Sequence, residues 1–227
     1  MLLHNKMGTD EAKLKDFKLK PMKCELNFLS KSDGSAILSQ GSTVALTSVN
    51  GPLEVKMSSQ SIEKSTLEVL FSPKGGKPSV KDRYKENVIR QTCEEAILSS
   101  LYPRTGITVT VQELEDYGGL LSTCVNSVCL ALINSGVAMR HVFAAVLCCV
   151  DEHGDILLEP EADQLDAARA VLSFVFDERD KSLVTGFTEG NFSEDTYKEA
   201  MERCRFASDL VFAFYRDIVS KYSKVIG

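Results

Sequence analysis

Several groups of residues in this chain have types and spacings that could do chemistry. Gly118-Gly119 stands where a strand gives way to a helical pattern, and backbone N–H groups there could face an anion. Leu120 and Leu121 follow with no Lys or Arg, so two glycines shaping a tight turn is the better reading. Glu159, Glu161, Asp163 and Asp166 form a carboxylate cluster. It could hold Mg²⁺ for metal-assisted hydrolysis, or it could place acids at the positive end of a short helix begun by Pro160. The loop from Ser72 to Pro78 with Lys74, Lys77, Lys81 and Arg83 is basic enough to contact phosphates. It lacks the interleaved aromatics that would stack bases, which favours a solvated loop. His141 and His153 lie outside any nucleophile-elbow context, and Cys148-Cys149 sits in an apolar run that reads as core.

The elements that would position these groups follow from hydrophobic period. Residues 1–20, with Lys13, Lys15, Lys18 and Lys20, read as a flexible tail. Met22, Cys24, Leu26 and Phe28 alternate with polar neighbours as in a strand. Ala36–Leu38 and Thr43–Val49 form a hairpin-like unit that Gly51-Pro52 should end, and Thr66–Phe71 is a further strand. Asp82–Leu101 has helical spacing, with Tyr84, Val88, Ile89, Cys93, Ala96 and Ile97 on one stripe and Pro103 as the stop. Ile107–Val111 is a β-branched strand, and a second helix runs from Gly118-Gly119 to Gly136. Val142–Val150 is apolar enough for a strand buried on both faces. Ile156–Leu158, Arg169–Phe176 and Leu183–Phe187 are shorter strands, the last two joined by a hairpin tip at 177–181. The final helix is capped by Ser193, led by Glu194 and Asp195, and striped by Tyr197, Ala200, Met201, Cys204, Ser208, Val211, Tyr215, Ile218 and Tyr222. This order predicts one α+β domain over 21–227, a sheet core with helices packed on it.

Composition narrows the class. The 227 residues correspond to one or two domains at about 150 residues each, with 44% apolar and 26% charged residues. No apolar stretch approaches the ~18 residues of a membrane span, and the N-terminus lacks a signal-peptide core. Twenty-six basic against 32 acidic residues give −6, which argues against a free-standing nucleic-acid clamp. Seven cysteines without a CxxC pair suggest a reducing, intracellular home, and three histidines without ligand-spaced partners predict no metal site.

Three segments stand out by their order and joint spacing. The first is Asp33-Gly34-Ser35-Ala36 with Gln40-Gly41-Ser42-Thr43-Val44, closed by Val49-Asn50-Gly51-Pro52. The second is Leu101-Tyr102-Pro103-Arg104-Thr105-Gly106-Ile107-Thr108-Val109. The third is Tyr117-Gly118-Gly119 leading to Cys124 through Leu132 and then Ser135-Gly136-Val137. Together they resemble the ribonuclease PH-like family (ribosomal protein S5 domain 2-like fold), the second its LFPRTxIxV stretch and the third its Gly-Gly junction and following helix. They look like the ring subunits of the eukaryotic RNA exosome in particular. The similarity runs from about Lys23 to the C-terminal helix, and Phe214-Tyr215-Arg216 with Glu159-Pro160 looks most like the subunit regarded as catalytically inert.

The resemblance implies a chemistry and also its loss. Active members cleave RNA from the 3′ end by phosphorolysis, which needs cations around two anions, an in-line phosphate and a carboxylate. Where they carry Gly-Gly-Thr-Arg-Thr, this chain has Gly118-Gly119-Leu120-Leu121-Ser122, so the phosphate-binding Arg is Leu121 and only Ser122 keeps a hydroxyl. Arginines of the family's helix fall on Gln91 and Glu94, and its two aspartates fall near Leu165 and Val171, with Asp163 and Asp166 close by. The expectation is a non-catalytic subunit without cofactor or metal. It would pair with other ribonuclease PH-like subunits in a hexameric ring under cap subunits with RNA-binding domains, in nucleus, nucleolus and cytoplasm. Arg83, Arg90 and Arg104 are the candidates for RNA backbone contact, with salt bridging inside the fold as the other reading. The alternatives are a homodimeric phosphate- or metal-dependent nuclease using Glu161, Asp163 and Asp166, and an interaction module without RNA contact. Whether the chain homodimerises alone is left open.

Overall fold

The computed structural model describes residues 19–226, so the expected tail lies outside the described residues except for Leu19 and Lys20. Strands β1 (Met22–Leu26), β2 (Gly34–Gln40) and β3 (Thr43–Glu54) form an antiparallel meander, as their alternation predicts. Phe28 falls beyond β1 and is exposed. Gly51-Pro52 does not end β3. The pair is absorbed as a bulge between Asn50 and Leu53, and the Gly51 N–H, turned out of the ladder, donates to Asp33 Oδ2 at 2.8 Å. Strand β4 (Thr66–Ser72) then leads through helix α1 (Val80–Ala96) into β5 (Thr105–Glu115), which lies parallel to β4. The five-stranded sheet has the order β1-β2-β3-β5-β4.

Helix α1 differs from its expected span at both ends. Ser79 and Asp82 form a reciprocal cap, which starts it two residues early. It stops at Ala96, not Leu101, because the segment after the second helix captures its end. Arg140 N–H donates to Ala96 O at 2.7 Å, and Leu98 N–H donates to Ala138 O at 3.0 Å. Tertiary pairing thus overrides the helical spacing of Ile97, Leu98 and Leu101.

Helix α2 (Leu120–Ser135) is buried nearly all round, from Leu120 to Leu132 with only Leu121 half-buried. A helix with that pattern needs a wall on both sides. One wall is β2 and β3; the other is β6 (Phe143–Val150), the expected strand buried on both faces. Strands β7 (Ile156–Leu158), β8 (Ala170–Asp177) and β9 (Leu183–Gly190) complete a four-stranded antiparallel sheet, β7-β6-β8-β9. The five-residue helix α3 (Ala162–Asp166) links β7 to β8. Helix α4 (Glu194–Ile226) covers the far face of β6 and β8, with Ser193 Oγ accepting from Thr196 N–H at 3.2 Å as its cap. The layers therefore run sheet, helices α1 and α2, sheet, helix α4, and the α+β expectation holds. Each of the fully buried Leu130, Leu132, Phe143 and Phe174 contributes about 1.5–3 kcal/mol of burial to the core they share.

Candidate functional site

The Gly-Gly junction sits where β5 hands over to α2. Gly118 and Gly119 both adopt left-handed backbone, with φ of +100° and +78°. A Cβ on Gly118 would lie 2.9 Å from Ala162 N and from Pro160 O, so only glycine lets the turn press against the start of α3. The turn is pinned from β3 by Thr43, whose hydroxyl donates to Gly118 O at 2.8 Å and accepts from Tyr117 N–H at 3.0 Å. Asp116 Oδ1 accepts from Gly118 N–H at 2.9 Å. Beyond it, α2 begins without a side-chain cap. The Ser122 hydroxyl donates back to Gly119 O at 2.8 Å, and Leu121 packs its half-buried side chain against the core.

What lies across this helix end is a carboxylate. Glu159, only 7% exposed and held at φ +49°, accepts from Lys20 N–H at 2.6 Å through Oε2 and from the Gln40 amide through Oε1. Lys20 Nζ donates to Pro160 O at 2.8 Å, clasping the same turn. Burial pushes the Glu159 carboxyl above its usual range, against the pull of the Lys20 N–H, the Gln40 amide and the Lys20 charge. Glu159, Gln40, Lys20 and Leu147 face Gly118, Gly119, Ser122 and Thr123 around a cavity of about 10 Å³. That is room for no more than one water. Outside it opens a cleft of about 310 Å³ between Lys20, Gly41, Tyr117, Glu161 and Asp163. Nearby, burial pushes Glu113 above the usual carboxylate range, opposed by Lys85 and reinforced by Asp116 and Asp82. Of the charged side chains that line the two cavities, the acids Glu159, Glu161 and Asp163 outnumber the one cation, Lys20.

The other candidates do not converge here. Asp163 reaches the outer cleft, while Asp166 is exposed and does not line it. Glu161 is engaged in a reciprocal cap with Gln164, whose Oε1 accepts the Glu161 N–H at 2.9 Å, so the short-helix reading of the acid cluster is the one the structure bears out. Among the described residues no three His, Cys, Asp or Glu side chains gather as a metal site. Leu165 lies in α3 and Val171 in β8. Because β4 and β5 are parallel, with Ser72 opposite Gln112, α1 and α2 start at the same end of the sheet. Arg83 is in the first turn of α1, and Arg90 lies seven residues on along the same stripe, donating to Asn87 Oδ1 at 2.7 Å. Arg104 is at the opposite end, its backbone N–H donating to Ser61 O at 3.1 Å. Among the described residues, the side chains of Arg83 and Arg104 have no hydrogen-bond or ion-pair partner.

Gln91 and Glu94 are exposed near the end of α1 and face two different clefts. Gln91 joins Glu95, Arg140, His141, Asp177 and Arg179 around a volume of about 670 Å³. There Arg140 pairs with Glu95 at 2.8 Å, and His141 Nε2 is buried without a partner among the described residues. Burial pushes the Asp177 carboxyl up, but the Asp180 N–H, the Ser182 hydroxyl and His141 outweigh it and hold it below its usual range. Glu94 faces Ser61, Lys64 and Thr66 instead.

In the sequence Lys20 was read only as part of the tail and Gln40 only as part of the Gln40–Val44 motif, neither as a site residue. Gln40 had one legible sign, since it falls in the inward phase of β2 after Ala36 and Leu38.

Comparison with known proteins decides the family. Residues 18–138 match the 3′ exoribonuclease family, domain 1, known as RNase PH. The chain belongs to this family. An RNase PH relative from Arabidopsis thaliana, the exosome complex exonuclease RRP46 homolog, is 29% identical over 226 residues, covering 92% of this chain and 95% of that protein. The Caenorhabditis elegans exosome complex component RRP46 homolog is 35% identical over 157 residues, covering 69% of this chain and 72% of that one. The crystal structure of rice (Oryza sativa) Rrp46 superposes with a TM-score of 0.86 at 29% identity, covering 89% of this chain and 96% of the rice chain. The archaeal exosome core has the same RNase PH fold, with a TM-score of 0.73 at 18% identity, covering 94% of this chain and 97% of that chain.

Proposed function

We propose that this chain is a structural ring subunit of an RNA exosome core and does not itself perform phosphorolysis. The observation that carries the reading is the α2 N-terminus, where Leu121 stands in the arginine position of active members and, among the described residues, no cation but Lys20 lines the cavity. Support for the exosome context comes from the similarity to RRP46 proteins over most of both chains. An in-line phosphate needs cationic donors, and one such donor supplies about 3–4 kcal/mol of transition-state stabilisation. Glu159, Glu161 and Asp163, which line that cavity and the outer cleft, oppose a phosphate there.

In this reading the domain spans 21–227, preceded by a tail over 1–20. It pairs with other ribonuclease PH-like subunits in a hexameric ring, beneath cap subunits with RNA-binding domains. Its contribution to RNA processing, including rRNA maturation, is to shape a channel in nucleus, nucleolus and cytoplasm. Leu121, Ser122, Asp163 and Asp166 belong to a degenerate site, and Arg83, Arg90 and Arg104 contact the RNA backbone in the assembled ring. The chain needs no cofactor or metal.

The test is to purify the tagged chain from cells and to assay it alone. Co-purification in an assembly of about nine chains, with single-stranded RNA left intact in phosphate or Mg²⁺, is the expected result. Phosphate-dependent release of nucleoside diphosphates, abolished by Asp163→Asn or Asp166→Asn, would overturn it. Substituting Arg83, Arg90 or Arg104 by Ala should weaken RNA binding by the ring regardless of sequence, lowering the salt slope by about 1 for each arginine removed.

A further inference from the structure

The chain carries −6 overall, but its charge is unevenly spread: from Lys74 to Arg90 six basic residues stand against two acids. Both acids are spent inside the fold. Asp82 Oδ2 accepts from Ser79 N–H at 2.8 Å, and Glu86 Oε2 accepts from the Phe71 N–H of β4 at 3.3 Å. Lys74, Lys77, Lys81 and Arg83 are exposed, and their side chains have no hydrogen-bond or ion-pair partner among the described residues. Helical spacing assigns the next residue, Tyr84, to the buried stripe of α1, yet the structure leaves it 45% exposed. Its ring rests on the half-buried Phe187 of β9, with centroids 5.1 Å apart and planes inclined at 51°. Its neighbours one turn back on the helix surface, Val80 and Lys81, are exposed too.

We propose that Tyr84, braced by Phe187, is a stacking platform for one base of a single-stranded nucleic acid, whose backbone follows the cations on α1 and on the loop before it. An exposed tyrosine alone is ordinary. A braced ring beside unpaired cations meets both demands of an unpaired strand, since cations track its phosphates and an aromatic face takes a base of any identity. A duplex offers no such free base face. A protein partner fits less well. The core of a protein interface is depleted of charge and of lysine in particular, whereas four exposed cations occupy the ten residues before Tyr84. Of β9, only Glu189 adds an opposing charge. The cleft beyond Gln91 does not extend the path, because Glu95, Asp177 and Asp180 offset Arg140 and Arg179 there. This deepens the RNA contact assigned to Arg83 and Arg90 and rests on it, while adding a residue that acts without charge.

The test reads binding of a labelled oligouridine to the full-length chain by fluorescence anisotropy over a series of salt concentrations, beside a duplex RNA of the same length. Tyr84→Ala should weaken oligouridine binding about 5- to 150-fold with the salt slope unchanged, and should leave duplex binding as it is. Tyr84→Phe, which keeps a ring, should retain wild-type affinity. Circular dichroism establishes that the variants fold; if Tyr84→Ala does not, Tyr84→Leu, which keeps apolar bulk against Phe187 without a ring, decides under the same readout. Unchanged oligouridine binding in the folded variant, or an equal loss on duplex, would overturn the platform. So would a variant that binds RNA normally but no longer co-purifies with its assembly, which marks a protein contact instead. A wild-type chain that binds no single-stranded RNA at low salt would overturn the RNA contact of the proposed function and the platform with it. A reduced salt slope in Arg83→Ala with no effect of Tyr84→Ala would overturn the platform alone, so the two failures are distinguishable.

Discussion

Replacing Asn126 by alanine should be among the most damaging polar substitutions in this chain. Asn126 is fully buried in α2 and completes the edge of β6 where β7 is too short to reach. The β7 ladder covers Cys148 to Val150, and the Glu159 N–H extends it to Leu147 O at 2.8 Å. At the next outward-facing position, Ala145, the side-chain amide of Asn126 takes the place of a strand. Its Nδ2 donates to Ala145 O at 3.0 Å, and its Oδ1 accepts from Ala145 N–H at 2.8 Å. Tyr215 of α4 donates its hydroxyl to the same Oδ1 at 2.9 Å, so one amide joins three layers. Asn126→Ala leaves the Ala145 N–H, the Ala145 carbonyl and the Tyr215 hydroxyl without these partners. Each buried orphan costs about 1–3 kcal/mol, and water entering the vacated space recovers part of it, so a loss of about 3–6 kcal/mol follows. Against a total of about 5–15 kcal/mol for a domain, that is enough to shift the unfolding midpoint severely. Tyr215→Phe removes one donor from an oxygen that keeps another, and should cost only about 1 kcal/mol. In the Asn126→Ala background, Tyr215→Phe should cost nothing or stabilise, since it deletes an orphan; only the residue 126 carbonyl at 3.5 Å remains near that hydroxyl. Urea unfolding of the four chains, followed by circular dichroism, measures the cycle. A loss below about 1 kcal/mol for Asn126→Ala, or additive single effects, would refute this account of how α2 is seated.

Three further outcomes are expected. Gly118→Ala should destabilise by about 2 kcal/mol or more, because it combines left-handed strain with 2.9 Å collisions against the 160–162 backbone; Gly119→Ala, whose nearest foreign atom is 3.5 Å away, should show only the strain of about 1–2 kcal/mol in the same denaturation assay. The Ser79 N–H holds the Asp82 carboxyl below its usual range, so its stabilisation is present above that range and is lost as pH falls through the folded value; Asp82→Asn should flatten that limb, and Ser79→Ala should cost about 1 kcal/mol at neutral pH. Of the seven cysteines, Cys24 is half-buried and pushed by burial up to about 12 while the other six are buried, so a thiol reagent at pH 8 should modify at most one group slowly before denaturant exposes all seven.

The strands and helices were largely legible because β2 and β3 keep one buried face while α2, β6 and β8 are buried nearly all round. The errors fall where distant backbone intervenes. Ile97 continues the apolar stripe of α1, yet it pairs with Met139 as an isolated bridge, a contact that no local period encodes. Gly51-Pro52 has the composition of a stop but the role of a bulge, because Asp33 takes the freed N–H from another turn. In the site, identity was legible and geometry was not. That Leu121 lacks a charge is read directly from the sequence, whereas Glu159 meets Lys20 across 139 positions and Gln40 across 119. The carboxylates from 159 to 166 looked like one cluster in sequence; the structure sends Glu159 inward, Glu161 to a helix cap, Asp163 to the outer cleft and Asp166 to solvent.

The net charge of −6 acquires a location from this arrangement. Helix α2 is required by the fold whatever the site does, since β2, β3 and β6 all bury their inner faces against it. Leu121 packs half-buried on the core, so in the proposed reading a side chain that carries no catalytic charge still serves the scaffold. Gln91 and Glu94, by contrast, project from the outer face of α1 and contribute nothing to its buried stripe. In the proposed reading, Glu94 and the acids Glu159, Glu161 and Asp163 near the α2 N-terminus stand where catalysis would need cations. Of the four cations on α1, Lys81, Arg83, Lys85 and Arg90, the two arginines lie on one stripe seven residues apart, about 10 Å along the axis. That spacing suits successive contacts along an extended nucleic-acid backbone and not the gripping of one phosphate. In the proposed reading, a subunit built in this way borders a path for RNA without itself supplying the cations that phosphorolysis needs.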